Sequence, residues 1–345
     1  MTEPRSFETS QPLVSVVTPV YNGEPYLSEC IESVLSQRYE NWEYVIVDNC
    51  STDRSVEISQ KYSASDTRIR LVKNTEHLDV IPNFNRALRY ISPASEYFKV
   101  IHADDWIFPD CLREMVALAE SNPTVGLVSA YRQEENEVTL DGLPLSASVI
   151  SGRDICRAHL LGGVKVFGSP SSHLLRSATV RSREIFYDET ILHADTEVCF
   201  EILKDWDFGF VHQVLTFTRR HNESVSSKAM RLGTRQIENV LGLLLKYGPA
   251  YLSENEMALQ CKKVFRNYYR FLAQSALEVK GREFWDYQRS CLKQAGYPLS
   301  VAKLARFILL ELLDLRQAYR RLRRGIIARR GERAVARGKV ADDQG

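Results

Sequence analysis

The stretch YFKVIHADDW, residues 97–106, runs from apolar residues directly into a polar cluster of His102, Asp104 and Asp105. The apolar part has the composition of a short buried strand, and a segment with helical periodicity follows the cluster. Charged side chains in this position either cap the following helix or face a ligand. Asp105 or Asp110 could serve as the cap. Capping does not account for the whole cluster, so a binding site is also predicted here.

Short apolar runs alternate with helical patterns from residue 13 to about residue 225. This alternation predicts an α/β fold, a Rossmann-like mixed and mainly parallel sheet with helices on both faces. Strands are predicted at 13–21, 44–49, 68–74, 98–101, 125–133, 173–177 and 208–221, and helices at 24–39, 51–62, 83–91, 109–121 and 194–205. The segment 132–170 is polar and is interpreted as loop with short elements.

The β-α alternation stops after about residue 228, and the patterns beyond it are helical. We predict a disordered N-terminus over 1–11 and an α/β domain over 12–228. A C-terminal helical region over 229–326 and a basic disordered tail over 327–345 follow.

The composition is that of an ordinary globular protein, with 44% hydrophobic and 26% charged residues among 345. Lys and Arg number 45 against 44 Asp and Glu, so the net charge does not indicate a nucleic-acid partner. The basic residues concentrate near the C-terminus, which favours a local anionic partner. The seven dispersed cysteines lack a CxxC pair and favour a reducing cytoplasm. We expect neither a signal peptide nor a membrane span, which needs ~20 apolar residues.

Polar residues follow three of the predicted strands: Pro19, Tyr21 and Asn22 around the end of the first, Asp48 at the end of the second, and the cluster at 102–105 after the fourth. In an open parallel sheet, ligands bind beyond the carboxyl ends of the strands. The sequence has no dinucleotide fingerprint and no phosphate-binding loop. Paired carboxylates can instead hold Mg²⁺ or Mn²⁺, which bridges and stabilises diphosphate oxygens.

These features, in this order, resemble the family 2 glycosyltransferases of the GT-A fold. The shared features are TPVYN after the first strand, an Asp ending the second, a DxD-like cluster after the fourth and an acidic motif at a later helix start. The resemblance covers about residues 12–225. It implies transfer of a sugar from a nucleotide-diphosphate donor, commonly a UDP-sugar, with inversion and with a divalent metal, Mn²⁺ or Mg²⁺.

The resemblance also assigns the donor site residue by residue. Nucleotide-sugar binding falls to Pro19, Tyr21, Asn22, Asp48, Arg70, Asn83, His102, Ala103 and Asp104. Asp48 would accept a hydrogen bond from the base, and Arg68 is a less favoured alternative to Arg70. His102 stands where the family has the first DxD aspartate, so Asp104 is the expected metal ligand.

The closing Arg-x-His element of the family resembles residues 219–221. It implies that His221 completes the metal coordination. Arg219 or Arg220 is expected to contact phosphate, and Asp105 to support Asp104.

Asp195 is the catalytic base that the resemblance implies, because removal of the acceptor's proton requires a carboxylate within hydrogen-bond reach. Ala194 stands where the family has a Glu. The residues alone leave an equal alternative, in which Asp195 is simply the N-cap of its helix. His173 is a weaker acceptor-site candidate, with packing as the alternative.

An apolar stripe with helical spacing runs through the C-terminal region at Val301, Leu304, Ile308, Leu312, Leu315, Tyr319, Leu322 and Ile326. Beyond Arg316 its polar positions are almost all Arg. We expect the first part to pack as a helix and the basic end to lie on an anionic membrane surface.

Together these features predict a cytoplasmic glycosyltransferase, peripheral on the inner face of the plasma membrane. Its acceptor would be a glycan or a lipid-linked sugar in bacterial surface polysaccharide or glycolipid biosynthesis, and no nucleic acid is expected as a partner. The departures at His102 and Ala194 leave open a catalytically degenerate sugar-nucleotide-binding protein. A nucleotidyltransferase is less favoured, because TPVYNGEPY lacks a glycine-rich basic loop.

Overall fold

A computed structural model describes residues 11–191, 193–220, 233 and 240–313. The chain divides into two compact units, Met1–Ala258 and Leu259–Gly345. The predicted domain boundary near residue 228, the first ten residues and the predicted tail lie outside the described residues. In the described part of the chain, none of the helices has the length and hydrophobicity needed to cross a bilayer.

The first unit is built on a mixed sheet, to which the described residues contribute ten strands. These are β1 Val14–Val20, β2 Trp42–Asp48, β3 Ile69–Lys73, β4 Tyr97–Val100, β5 Trp106–Ile107, β6 Val125–Glu134, β7 Glu137–Thr139, β8 Val149–Ile150, β9 Leu174–Arg176 and β10 Asp207–Thr218. Their order is β3-β2-β1-β4-β9-β6-β10-β5, with β7 beside β6 and β8 beside β10. The first four are mutually parallel, β6 and β10 are parallel, and β9 is antiparallel to both of its neighbours.

Helices cover both faces of this sheet. The helices of the first unit are α1 Leu27–Leu35, α2 Ser55–Ser65, α3 Val80–Leu88, α4 Cys111–Ser121, α5 Gly152–Leu160, α6 Ala178–Arg181, α7 Ala194–Ile202 and α8 Leu243–Tyr251. The further helices of the described residues are α9 Glu254–Leu277, which runs into the second unit, and α10 Arg282–Gln294 and α11 Val301–Leu313, which belong to it. One core lies under α1 and α4, and a second, smaller core lies under α3. Every residue of β1 is buried, because both faces are covered. The predicted α/β class and C-terminal helical region are confirmed.

The register of the sheet brings the polar strand ends to one edge. Val20 at the end of β1 lies beside Asp48 at the end of β2, and β4 flanks β1 on its other side. Strand β5 pairs antiparallel with β10, with Trp106 opposite Phe217. The rings of this pair stack with their centroids 4.8 Å apart. The segment between β4 and β5 is therefore held against the end of β10.

Helix α11, in the second unit, packs through a face that differs in part from the predicted stripe. Leu304 and Ile308 are partly buried as predicted, but Val301 and Leu312 are 75% and 56% exposed. Glu311 is buried instead, paired with Arg270 at 2.8 Å and accepting a hydrogen bond from Gln274 at 3.0 Å. The stripe prediction is wrong for Val301 and Leu312, because the buried face of α11 includes the paired carboxylate of Glu311 instead. The residues of the stripe beyond 313 lie outside the described residues.

Candidate active site

The turn between β4 and β5, residues 102–105 and called the HADD turn below, is a compact set of potential metal ligands. His102, Asp104 and Asp105 each offer one ligand atom, and these atoms lie within 4.8 Å of one another. The turn is closed by the amide of Asp105, which donates to the carbonyl of His102 at 3.0 Å. Carboxylate oxygens suit both Mn²⁺ and Mg²⁺, so the two aspartates fit the predicted cation. His221 lies outside the described residues.

Asp105 anchors the HADD turn to the end of β10 rather than capping a helix. Its carboxylate is 2% exposed and accepts the Arg219 amide at 3.1 Å and the Thr218 hydroxyl at 3.3 Å. Burial raises the pKa of Asp105, and the neighbouring His102 opposes that rise. The N-cap position of α4 belongs to Asp110, whose side chain makes no capping bond. A capping role for Asp105 is therefore wrong.

The HADD turn is also held by the short 3-10 turn Pro170–Ser172. The hydroxyl of Ser171 accepts the backbone N–H of His102 at 3.0 Å. His173, which follows this turn, is 3% exposed, and burial lowers its pKa to about 3, so its imidazole is neutral at physiological pH. This burial favours the packing alternative for His173. On the other side, the ring of Phe84 meets the His102 ring edge-on, with the ring centroids 5.2 Å apart.

Asp48 lies at the end of β2 and is 3% exposed. One carboxylate oxygen accepts the Ser51 amide at 3.3 Å, and the other is buried with no partner among the described residues. Such orphan acceptors are uncommon in folded proteins unless a ligand or water serves them. Tyr21 directly follows β1 and is half-exposed. The centroid of its ring lies 4.6 Å from that of the His77 ring.

The remaining residues of the first strand end have structural contacts. Pro19 is buried within β1. Asn22 has a φ of 51°, a conformation that Asn tolerates, and its side-chain oxygen accepts the Thr52 amide at 2.8 Å. Ala103 lies against Gly23, where an added Cβ would sit 3.3 Å from the Ala103 methyl and closer still to Val20.

A chain of asparagine amides joins Asn83 to the strand ends. The Asn74 amide donates to Asn83 at 2.9 Å and to Asn49 at 3.0 Å. Asn49 is in turn fixed by Leu78, whose amide donates to it at 3.0 Å and whose carbonyl accepts from it at 2.8 Å. Asn49 belongs to the polar cluster expected after the second strand, whereas Asn74 is not among the predicted residues. The signal that could have identified Asn74 is that it directly follows a strand.

The structure does not bring Arg70 to this edge. In the register of β2 and β3, Asp48 lies beside Lys73, and Arg70 lies three residues earlier along the strand. The Arg70 guanidinium donates to the carbonyl of Tyr90 at 2.8 Å. Arg68 precedes β3 and is farther still from the strand end.

Asp195 is the second residue of α7, and the N-cap position belongs to His193. The alternative in which Asp195 is simply the N-cap is therefore wrong. Its carboxylate accepts the Thr196 amide at 2.7 Å. Burial raises the pKa of Asp195, while positive charge on His193 and His102 would lower it. Ala194, beside Asp195, is fully buried.

The two arginines after β10 are occupied by other protein groups. Arg219 donates to the carbonyl of Asp104 at 3.3 Å and forms an ion pair with Glu29. Arg220 forms an ion pair with the buried carboxylate of Glu134. Arg219 therefore lies at the HADD turn, whereas Arg220 is directed to the end of β6.

Residues 15–182, a little under half of the chain, match the family model described as Glycosyl transferase family 2. A Haemophilus influenzae protein described as an uncharacterized glycosyltransferase is 28% identical over 194 residues, 53% of this chain and 58% of the relative. The putative teichuronic acid biosynthesis glycosyltransferase TuaG of Bacillus subtilis is 39% identical over 95 residues, 28% of this chain and 37% of that protein. The match thus spans little more than half of the first relative and less of the second.

Solved structures are similar over a larger share of the chain. S. aureus TarS, residues 1–349 in complex with UDP-GlcNAc, superposes with a TM-score of 0.59 at 16% identity, covering 82% of this chain and 80% of that one. The mannosyltransferase PcManGT from Pyrobaculum calidifontis, in complex with GDP-Man and Mn²⁺, has a TM-score of 0.51 at 17% identity and covers 89% of each chain. At these identities the similarity establishes the fold, which is the predicted GT-A fold. Over residues 15–182 the chain is similar to the Glycosyl transferase family 2 domain.

Proposed function

We propose that the protein is an inverting glycosyltransferase that transfers a sugar from a nucleotide-diphosphate donor to an acceptor hydroxyl. The observations that support this proposal are the potential metal ligands of the HADD turn and the raised pKa of the Asp195 carboxyl group, in one domain of the GT-A fold. Three ligand atoms of the HADD turn lie within 4.8 Å of one another. A cation-binding group and a general base are the two parts that this chemistry requires.

The donor in this proposal is a UDP-sugar, with its base beside Asp48. The buried and unpartnered carboxylate oxygen of Asp48 supports this assignment, since the N3–H of uracil could donate to it. The half-exposed ring of Tyr21 offers an aromatic surface on which the base can stack. Asn83 would support this side of the site through the asparagine chain, and Arg70 is not retained because it lies away from the edge.

Asp104 and His102 would hold the cation, with His221 as a further ligand. When bound, a divalent cation neutralises the charge that develops on the departing diphosphate. Asp105 would act mainly by holding the turn, because both of its oxygens already accept hydrogen bonds. Arg219, beside the carbonyl of Asp104, is the arginine nearer to the phosphates in this arrangement.

Asp195 would act as the general base. Its carboxylate takes the proton of the acceptor hydroxyl while the acceptor oxygen forms a bond to the anomeric carbon. The bond from that carbon to the diphosphate oxygen breaks, and its electron pair leaves with the nucleotide diphosphate. A single displacement of this kind inverts the anomeric configuration. Burial raises the pKa of Asp195, which makes the carboxylate a stronger proton acceptor than a solvent-exposed one.

The acceptor in this proposal is a glycan or a lipid-linked sugar at the cytoplasmic face of a bacterial membrane. Support comes from α11, whose leucines are 50–67% exposed at Leu309, Leu310, Leu312 and Leu313, and from the arginine-rich sequence that follows. Apolar side chains beside basic ones favour an anionic lipid surface. Sedimentation with phosphatidylglycerol vesicles, but not with phosphatidylcholine vesicles, is expected, and it should weaken in a Leu309→Ser, Leu313→Ser variant. Equal sedimentation of that variant would contradict this placement.

The main test is release of UDP from UDP-sugars in the presence of Mn²⁺. Release should stop with EDTA and in Asp104→Ala, and Asp195→Asn should bind donor but not transfer. Donor binding by the wild type without turnover for any acceptor or water would instead support the catalytically degenerate binding protein. Release of pyrophosphate from a nucleoside triphosphate would support the nucleotidyltransferase.

A further inference from the structure

Lys99, in the centre of β4, is a fully buried lysine. Lysine is rarely buried unless its charge is paired or its donors are used. Across the described ranges no carboxylate forms an ion pair with Lys99. Its ammonium group instead donates to two backbone carbonyls, that of Ser171 at 2.7 Å and that of His173 at 3.1 Å. The buried ammonium therefore serves the short turn at 170–172 and the residue after it.

The same short turn contacts the HADD turn through one side chain. The hydroxyl of Ser171 accepts the backbone N–H of His102 at 3.0 Å. Ser171 itself is fully buried, so water does not compete for this bond. Two hydrogen-bonded steps thus connect Lys99 to the backbone of His102, the first residue of the HADD turn.

We propose that Lys99 and Ser171 are positioning residues that fix the HADD turn in the geometry that binds a divalent cation. Lys99 holds the backbone of Ser171, and Ser171 holds the backbone of His102. Neither residue contacts the reacting atoms. This inference rests on the proposed function, because it assigns these two residues to the cation site of the glycosyltransferase.

The two carbonyls that Lys99 serves explain the need for a lysine. They are those of Ser171, within the 3-10 turn, and of His173, directly after it, and both accept hydrogen bonds from the Lys99 ammonium group. Buried carbonyls require donors, and an ammonium group supplies three. An apolar residue at position 99 would fill the space but leave both oxygens without these bonds. The turn would then be free to move, and Ser171 with it.

Ser171→Ala and Ser172→Ala are a matched pair for testing this inference. Both serines are fully buried in the same turn, but the Ser172 hydroxyl has no hydrogen-bond partner among the described residues. Lys99→Met is a third variant, which removes the donors at similar size. Mn²⁺ affinity is measured by electron paramagnetic resonance on the full chain. Amide hydrogen exchange of peptides covering 97–106 is measured on the metal-free protein.

We expect Ser171→Ala to weaken Mn²⁺ binding by about 10–100-fold, the usual effect of removing a group that orients a ligand. The Mn²⁺ affinity of Ser172→Ala should stay within about 2-fold of that of the wild type, because the Ser172 hydroxyl does not orient a ligand. Exchange at 101–105 should quicken in Ser171→Ala and Lys99→Met but not in Ser172→Ala. With UDP-sugar as substrate, the concentration of Mn²⁺ needed for half-maximal activity should rise in Ser171→Ala while kcat at saturating Mn²⁺ recovers. General loss of structure would not be rescued in this way.

The two readouts separate this inference from the proposed function. Unchanged amide hydrogen exchange at 101–105 in Ser171→Ala would overturn the positioning role, even if the Mn²⁺ affinity of this variant were altered. Faster exchange with unaltered Mn²⁺ affinity would overturn the link to the cation site. If the wild type itself binds no Mn²⁺, the metal part of the proposed function fails, and with it the claim that these residues serve a cation. Lys99→Met is informative only if it folds, and Ser171→Ala decides the question without it.

Discussion

The substitution Asp195→Asn separates the catalytic contribution of this carboxyl group from its contribution to stability. The amide is nearly the same size, and its oxygen can still accept the Thr196 amide, the bond that is 2.7 Å long in the wild type. It cannot accept the acceptor's proton. General-base catalysis contributes about 10²–10⁴-fold to a rate, so UDP release and transfer should fall by that factor. The affinity for the donor, measured by calorimetry with UDP, should not change.

The same substitution should stabilise the protein at neutral pH. Burial raises the pKa of Asp195, so the folded protein binds this proton more tightly than the unfolded chain does. Ionisation of Asp195 therefore costs folding free energy at a pH above the raised pKa. The cost disappears below the ordinary aspartate pKa of ~3.9, where both states are protonated. We expect Asp195→Asn to have a higher Tm than the wild type at pH 7.5, by ~2–4 °C for each kcal/mol gained in the free energy of unfolding. At pH 3.5 the two proteins should have the same Tm.

Asp188→Asn is the matched control. Asp188 is seven residues earlier, and its carboxylate accepts the Thr190 hydroxyl at 2.6 Å and the Thr190 amide at 2.9 Å. These bonds lower the pKa of Asp188, so its ionised form stabilises the folded protein above the ordinary pKa. Asp188→Asn should therefore lower the Tm at pH 7.5 and leave transfer unaffected. Loss of a general base should lower the rate by about 10²–10⁴-fold. If Asp195→Asn keeps more than about a tenth of the wild-type activity, Asp195 is therefore not the base. If it lowers the Tm at pH 7.5, the account of its burial is wrong.

Three further predictions follow from other parts of the structure. Asp104→Ala should abolish both Mn²⁺ binding and EDTA-sensitive UDP release, and retention of either would contradict its role as a ligand. Asp48→Ala should raise the KM for UDP-sugar by about 10–150-fold with little change in kcat, because a hydrogen bond to a charged group contributes ~1.5–3 kcal/mol. An unchanged KM would remove Asp48 from the donor site. Gly152→Ala should destabilise the protein by ~1–3 kcal/mol, because its Cβ would collide with the Leu203 carbonyl. Gly163→Ala, with an ordinary 3.4 Å contact, is its control in denaturant unfolding.

Much of the first unit could be predicted because its strands are buried on both faces. β1 and β2 are mostly apolar, polar residues stand at or just beyond their ends, and the sequence predicts both together with the helices that follow them. The parallel pairing of Val20 with Asp48 then follows from the β-α alternation. Position along the strand was harder to predict. Arg70 belongs to the correct strand, but the register places it three residues before the edge.

Contacts between segments that are distant in sequence could not be predicted. Asp105 accepts from Arg219, 114 residues later, and nothing in the local sequence of either residue indicates the pairing. Helix α5 within 132–170 begins at a Ser151 cap, whose hydroxyl accepts the Asp154 amide at 3.1 Å, but its short and mostly polar sequence did not stand out from loop. The burial of Lys99 and of Glu311 is equally hidden, because each becomes favourable only through partners brought by the fold.

The replacement of the first DxD aspartate by His102 can be understood from how the HADD turn is held. The shape of the turn depends on Asp105, which accepts from Thr218 and Arg219, and on Ser171, which accepts the backbone N–H of His102. None of these bonds uses the side chain of residue 102. Its identity can therefore change without loss of the turn, and an imidazole nitrogen remains a ligand for Mn²⁺. Because the site then carries one negative charge fewer, we expect it to bind Mn²⁺ in preference to Mg²⁺, which favours oxygen ligands. Equal activation by both ions would show that His102 is not a ligand.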